Sequence, residues 1–228
     1  MKIKTILIII LLSISNFIIA KELTDEDKLR NAIKKLPAVG IIDEGIDLVN
    51  SQLKGSILYS NHSKSKIENP HATHLACLIN KINTRLNFLS YDIRADKNKT
   101  DGILNGLKFM IKNKVKYILY ASSSLSYSKQ EEALLKLATD NGAYVFVSAG
   151  NDDKVIDSKN KLYPCSLKIK NLFCIGNRAK YSNKGDSVVL FDEGAELESC
   201  GLNNAKVKMK GTSQSTALFL GEFSKFIF

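Results

Sequence analysis

The sequence lacks several features that point to particular classes of protein. It contains only three prolines in 228 residues and has no internal repeat, low-complexity segment or linker, so repeat and disordered architectures are excluded. Its four cysteines form no Cys-x-x-Cys pair, and we therefore predict no structural zinc site. No run after residue 20 is long and apolar enough to span a membrane. The length suits one α/β domain with a sizeable core.

Positive charge is in excess, but it is not concentrated along the chain. Lysine and arginine number 33 against 23 acidic residues, which gives a net charge of +10. Nucleic-acid-binding chains gather such charge in runs or stripes, whereas these lysines are spread along the whole sequence. We therefore predict no nucleic-acid partner and interpret the charge as a solvated surface.

The N-terminus predicts export. Residues 1–4 are basic, residues 5–20 are uncharged and mostly apolar, and charge returns at Lys21. This pattern is typical of a secretory signal peptide, here residues 1–20 with cleavage after Ala20. Retention as a membrane anchor stays open, because Ile18 does not fit the small residue that cleavage sites prefer. We expect an exported protein, periplasmic or extracellular, that meets a membrane only if this leader is retained.

The cysteines leave their pairing open. Export permits disulfides, and four cysteines (Cys77, Cys165, Cys174 and Cys200) allow three pairings. Cys165 and Cys174 are close enough in sequence to close a short loop. Cys77 lies in an apolar helical pattern and is also interpretable as a small buried hydrophobic residue.

The rest of the chain alternates between strand and helix patterns. Residues 21–37 predict an N-terminal helical segment, residues 48–66 a polar loop, and residues 38–228 one domain. Apolar runs predict strands at 38–43, 86–93, 115–121, 144–148, 173–175 and 188–191. Amphipathic runs predict helices from 71 and at 101–113, 130–139 and 213–226. This alternation favours a three-layer α/β sandwich with a mostly parallel sheet, whose active groups lie at the carboxyl ends of strands.

Four short segments carry residues that suit a single chemistry. A lone Gly-Thr-Ser is common at helix starts, and a lone Ala-Gly-Asn is common in turns. In chain order the four segments are Ile41-Ile42-Asp43-Glu44-Gly45-Ile46-Asp47, His71-Ala72-Thr73-His74-Leu75-Ala76, Val147-Ser148-Ala149-Gly150-Asn151 and Gly211-Thr212-Ser213-Gln214-Ser215. Together, in this order, they resemble the subtilase family of serine proteases, and the resemblance runs from about Ala38 to the C-terminus.

The resemblance implies a subtilisin-like fold and a secreted serine endopeptidase. Asp43 matches the acid of the catalytic triad, His71 its general base and Ser213 its nucleophile. Asn151 matches the side-chain donor of the oxyanion hole. The resemblance also assigns the substrate-binding pocket to a loop after a buried strand, comprising Ser124, Leu125 and Ser126.

The resemblance also implies partners and cofactors. The partner is a polypeptide substrate, the expected state is a monomer, and the hydrolysis requires no cofactor. Many relatives bind calcium, but the acids Asp47, Asp152 and Asp153 do not define a site by their spacing. We therefore predict no specific metal ion, either there or at the His71-x-x-His74 pair.

The chain departs from the family pattern beside the predicted site. Glu44 stands where Thr or Ser is usual, Ala72 where Gly is usual, and Ser126 where Gly is usual. Residues 21–36 are also too few for the folding propeptide common in secreted members. An alternative function therefore stays open, namely a catalytically weak or inactive subtilase-like domain that acts as a binding or effector module.

Overall fold

A seven-stranded sheet forms the centre of the protein, in a computed structural model that describes residues 24–62 and 67–226. The strands are β1 (Ala38–Asp43), β2 (Ile57–Ser60), β3 (Asn87–Asp92), β4 (Tyr117–Tyr120), β5 (Tyr144–Ser148), β6 (Leu172–Asn177) and β7 (Val188–Asp192). They lie in the order β2-β3-β1-β4-β5-β6-β7, and every neighbouring pair is parallel. This confirms the predicted parallel sheet. The predicted signal peptide lies outside the described residues.

Helices cover both faces of the sheet and complete the three predicted layers. In chain order they are α1 (Asp25–Lys35), α2 (His71–Ile82), α3 (Lys99–Lys112), α4 (Lys129–Asp140) and α5 (Thr212–Lys225). Side chains of α1, α3 and α4 pack on one face, and those of α2 and α5 pack on the other. None of the helices in the described parts of the chain is long and apolar enough to cross a membrane.

The apolar character of the strands follows from this double cover. In β4, Tyr117 and Leu119 face the core under α2 and α5, whereas Ile118 and Tyr120 face the core under α3 and α4. Because both faces are buried, such strands are apolar along their whole length. The sequence therefore indicates β1 and β5 clearly, and the structure places both at the predicted bounds.

Helix α1 begins and ends where its sequence signals lie. Thr24 accepts a hydrogen bond from the backbone N–H of Asp27, and the Asp27 side chain bonds back to the Thr24 N–H, which forms a capping box. Acidic residues occupy the first turn and lysines the last, in keeping with the helix dipole. Leu29 and Ile33 pack against the core of the domain. The predicted N-terminal helix is thus present over its described part.

Three strands differ from the sequence-based expectation. The prediction of a polar loop is wrong at β2, a half-buried edge strand that pairs only with β3. An antiparallel hairpin of β8 (Leu197–Cys200) and β9 (Lys206–Met209) was also not predicted. These segments are short and partly exposed, so they lack the continuous apolar run of a central strand.

Two disulfides fix elements near the carboxyl ends of the strands. Cys77 in α2 pairs with Cys200 in β8, 123 residues away, so its interpretation as an unpaired hydrophobic residue is wrong. Cys165 pairs with Cys174 across nine residues, which is the short loop that their spacing suggested. A cross-link over a long loop restricts the unfolded chain most strongly. The first disulfide therefore holds the hairpin against the helix that begins at His71.

Candidate active site

The predicted acid and base meet at the carboxyl end of β1. Asp43 ends this strand and His71 begins α2. The Nδ1 atom of His71 donates to Oδ2 of Asp43 at 2.9 Å, and Oδ1 of Asp43 accepts the backbone N–H of Glu44 at 2.7 Å. Because a carboxylate only accepts, the proton of the neutral imidazole lies on Nδ1. Nε2 therefore keeps its lone pair and is able to accept a proton.

Electrostatics around His71 favour its charged form. Burial lowers the pKa of His71, but the charge of Asp43, the hydrogen bond to Asp43 and the charge of Glu44 raise it, and the net effect is a pKa above the ordinary value. One helical turn further, burial lowers the pKa of His74, whose Nε2 bonds the carbonyl of Leu197. The two histidines thus have opposite shifts, and His71 is the one that readily holds a proton.

Ser213 lies at the start of α5, beside the ends of β4 and β5. Its Oγ lies 3.4 Å from the carbonyl oxygen of Ala121, to which it donates, and 3.4 Å from Oγ of Ser148. Among the described residues, no hydrogen bond joins Ser213 to His71. The structure therefore brings Asp43 and His71 into contact and leaves the hydroxyl of Ser213 directed elsewhere.

Asn151 is held against the same helix start. Its Oδ1 accepts the backbone N–H of Thr212 at 2.9 Å, so the amide is oriented and Nδ2 remains the donor end. Gly211 has a φ of 151°, and a Cβ there would lie 3.3 Å from Nδ2 of Asn151. Asn151 itself is exposed to solvent.

A buried asparagine supports the turn that carries Asn151. Asn183 is 2% exposed, and its Nδ2 donates to the carbonyl of Ala149 at 2.9 Å. Its Oδ1 accepts the backbone N–H groups of Asp152 and Lys154. Asn183 was not among the predicted site residues, although it lies in a Ser-Asn-Lys-Gly segment that is a local sequence signal.

A small hydroxyl network behind Ser213 was also missed. Ser148 ends β5, is 3% exposed, and lies 3.2 Å from Oγ1 of Thr216. Thr216 in turn donates to the carbonyl of Thr212 at 2.7 Å. Ser148 thus connects the end of β5 to the first turn of α5, and no local sequence pattern reports a contact across 65 residues.

The predicted substrate-binding residues follow β4 at the same end of the sheet. Ser124 exchanges two backbone hydrogen bonds of 2.8 Å with Tyr163. Its Oγ accepts the N–H of Ser126 at 3.0 Å, and Leu125 between them is 72% exposed. The loop is therefore ordered by its own hydrogen bonds and presents an accessible apolar side chain.

Cationic side chains gather around a cavity at the opposite end of the sheet. This cavity, of about 700 Å³, lies at the amino ends of β1 and β4, where Ala38 and Tyr117 line it. Its cationic lining residues are Arg30, Lys34, Lys35, Lys112, Lys114 and Lys116. Glu26 pairs with both Arg30 and Lys112. Two distant segments supply these charges, so the sequence alone did not reveal the cluster.

Metal-binding side chains do not converge within the described parts of the chain. No group of three or more His, Cys, Asp or Glu residues there is arranged to hold a metal ion. Of the acids considered for calcium, Asp47 accepts the backbone N–H groups of Val49 and Asn203, and Asp152 accepts from Nδ2 of Asn183.

The fold and this arrangement of residues define a subtilisin-like α/β domain, the fold of a large class of serine proteases. No protein-family model matches the chain. It is 28% identical over 198 residues to Subtilisin-like protease 2 of Pseudogymnoascus destructans, covering 78% of this chain and 48% of that protein. It is 25% identical over 193 residues to Subtilisin-like protease 5 of Arthroderma gypseum, covering 77% and 48%. The chain thus spans about half the length of these curated relatives.

A solved structure shows the same fold. A cold-adapted subtilisin-like serine proteinase superposes with a TM-score of 0.70 at 20% identity, covering 83% of this chain and 74% of that one. At this identity the likeness establishes the fold alone. With the two relatives, it confirms the resemblance to the subtilase family that the four sequence segments predict.

Proposed function

We propose that the protein is an exported serine endopeptidase with Asp43, His71 and Ser213 as its catalytic triad. The observation that carries the proposal is the 2.9 Å contact between Oδ2 of Asp43 and Nδ1 of His71 at the carboxyl end of β1. The proposal is further supported by the chain order Asp, His, Ser and by relatives that are named as proteases.

The proposed reaction begins with attack of Ser213 Oγ on the carbonyl carbon of a peptide bond. Nε2 of His71 takes the hydroxyl proton and returns it to the leaving amine when the C–N bond breaks. Water then hydrolyses the acyl-enzyme with His71 again as the base. Attack requires the Ser213 side chain to turn from the carbonyl of Ala121 towards His71.

The proposed oxyanion hole uses two donors at the start of α5. Nδ2 of Asn151 is one, because its Oδ1 is already occupied by the Thr212 N–H. The backbone N–H of Ser213 is the other, since the first N–H groups of a helix have no partner within it. Donors fixed before the reaction stabilise the developing charge without reorganisation.

Export forms part of the proposal. The basic and apolar pattern of residues 1–20 is typical of a signal peptide. Two disulfides join all four cysteines, and disulfides persist in oxidising compartments outside the cytosol. Both features support action in the periplasm or outside the cell, on polypeptides reached there.

Cleavage of a peptide library tests this function. We expect new N-termini after incubation of a proteome-derived peptide mixture with the wild-type protein, and none with Ser213→Ala, as read by mass spectrometry. Cleavage that persists undiminished with Ser213→Ala would contradict the assignment of the nucleophile.

The alternative function is a catalytically weak or inactive domain that binds partners. It is favoured by one observation, that the Ser213 hydroxyl donates to Ala121 and not to His71. A folded wild-type protein that cleaves no peptide in the library would support this alternative.

A further inference from the structure

Glu44, the residue after the predicted triad acid, is connected to the helix that carries His71. Its Oε2 accepts a hydrogen bond from Nδ2 of Asn69 at 2.9 Å. Oδ1 of the same asparagine accepts the backbone N–H of His71 at 3.0 Å. One asparagine thus bridges the carboxylate of Glu44 and the first residue of α2.

The carboxylate determines which way the Asn69 amide faces. A carboxylate only accepts hydrogen bonds, so the NH₂ group of Asn69 must face Glu44 and its oxygen must face α2. The N–H of His71 is one of the helix-start donors that lack an intrahelical partner. Pro70, at the N-cap, forms no side-chain cap. The carboxylate of Glu44 thus stabilises the orientation in which Asn69 satisfies this donor.

The charge of Glu44 also remains available to His71. Among the described residues, the carboxylate has the uncharged Asn69 as its hydrogen-bond partner. Arg94 donates to the backbone carbonyl of Glu44 at 2.6 Å, but its guanidinium pairs with the carboxylate of Asp92 at 3.0 Å. Asp92 therefore makes the larger contribution to the raised pKa of Arg94, and the charge of Glu44 makes a smaller one.

Two anions and a second histidine interact with the imidazole of His71. Asp43 contacts it directly from the end of β1, and Glu44 is the second anion that raises its pKa. His74, one turn along α2, interacts with His71. Arg94 interacts with Asp92 at the end of β3 and with the exposed Glu68 before α2. Of these groups, only Glu44 is joined to the backbone of His71 through a side-chain bridge.

We propose that Glu44 is a positioning residue that orients His71 through Asn69 and sets the lower pH limit of its action as a base. The two effects have separate causes, a hydrogen bond and a charge. The bond depends on an acceptor at the right distance, whereas the pH limit depends on the negative charge. The kinetic consequences rest on the proposed function, but the effect on the imidazole itself does not.

Substitutions at position 44 separate the two effects. Glu44→Gln keeps an acceptor of the same length and removes the charge. We expect it to lower the pKa of His71 by about 0.5–1 pH unit, because a nearby anion stabilises the imidazolium. Glu44→Asp keeps the charge but is too short for the bond, so the acid limb should stay in place while the maximal rate falls.

Two readouts cover this inference. The rate of reaction with a fluorophosphonate, measured against pH, should show an acid limb that shifts downwards in Glu44→Gln. At a pH below the wild-type limb, we compare the rate of each protein as a fraction of its own maximal rate. This fraction should be roughly 3- to 10-fold higher in Glu44→Gln than in the wild type. Glu44→Asp should show a lower maximum than Glu44→Gln, with the wild-type acid limb. Glu68→Gln removes a neighbouring exposed acid and should leave the profile unchanged.

NMR titration of the imidazole separates failure of this inference from failure of the proposed function. The chain has three histidines, so the His71 signal is assigned by its loss in His71→Gln. A pKa that is lower in Glu44→Gln than in the wild type supports the charge effect even if the protein reacts with no fluorophosphonate. An unchanged pKa would overturn the charge effect, and equal maximal rates in Glu44→Asp and Glu44→Gln would overturn the positioning role.

Discussion

Asp43→Asn should reduce peptide-bond cleavage by about 10⁴-fold while the protein stays folded. Oδ1 of Asp43 accepts the N–H of Glu44, so an amide at this position keeps its oxygen there and turns its NH₂ towards His71. That NH₂ donates to Nδ1 of the imidazole, which moves the ring proton to Nε2. A protonated Nε2 has no lone pair for the hydroxyl proton of Ser213.

Turnover of Asp43→Asn, compared with Asp47→Asn, tests this expectation. Asp47 is also buried, but its carboxylate accepts backbone N–H groups of Val49 and Asn203 and does not contact His71. We expect the turnover of Asp47→Asn, per folded molecule, to stay within a few-fold of the wild-type turnover. Turnover of Asp43→Asn above a tenth of the wild-type value would contradict the proposed tautomer mechanism.

Asn151→Asp should lower turnover by at least about 10²-fold, the lower end of what loss of one oxyanion donor costs in acyl-transfer enzymes. One carboxylate oxygen still accepts the Thr212 N–H, so the local structure is retained. The other replaces the Nδ2 donor and places a negative charge where the oxyanion forms. Because the donor acts in the transition state, kcat should fall far more than KM rises.

Asn141→Asp provides a matched control for that change. It introduces the same charge at an exposed position after α4, at the amino end of β5 and therefore at the opposite end of the sheet from Asn151. We expect it to leave kcat and KM close to the wild-type values. Equal kcat values for Asn151→Asp and Asn141→Asp would contradict the assignment of Asn151 to the oxyanion hole.

The sequence predicts the parallel sheet because strands that are buried on both faces consist almost entirely of apolar residues. The apolar run before Asp43 and the run from Tyr144 to Ser148 are strands because helices cover both of their sides. Strand β2 was not recognisable in this way, because it lies at the edge of the sheet and is only half-buried. The central strands were thus predictable from the sequence, because burial on both faces requires apolar residues there.

The candidate site was predictable only for residues that lie in short motifs. The segments around Asp43, His71, Asn151 and Ser213 contain the proposed reacting groups, and the structure places them at one end of the sheet. Asn69 and Ser148 contact these groups through the fold, and an asparagine or a serine fits many other roles. The disulfide partner of Cys77 was open for the same reason, because its contact spans 123 residues.

The orientation of the Ser213 hydroxyl depends on contacts that the sequence does not encode locally. Ala121 and Ser148 follow or end two neighbouring strands, and both approach Oγ of Ser213 at 3.4 Å. The proposed mechanism nevertheless requires that His71 activates this serine. Substitutions of Asp43 and Asn151 report on that claim indirectly, through rates.

Reaction of the purified protein with a fluorophosphonate, read by intact mass, tests the activated serine most directly. We expect one phosphonyl adduct per molecule, located on Ser213, with loss of fluoride. We expect no adduct on Ser213→Ala and a much slower reaction for His71→Ala. Absence of an adduct on a demonstrably folded wild-type protein would contradict activation of Ser213 by His71 and favour a binding or effector module.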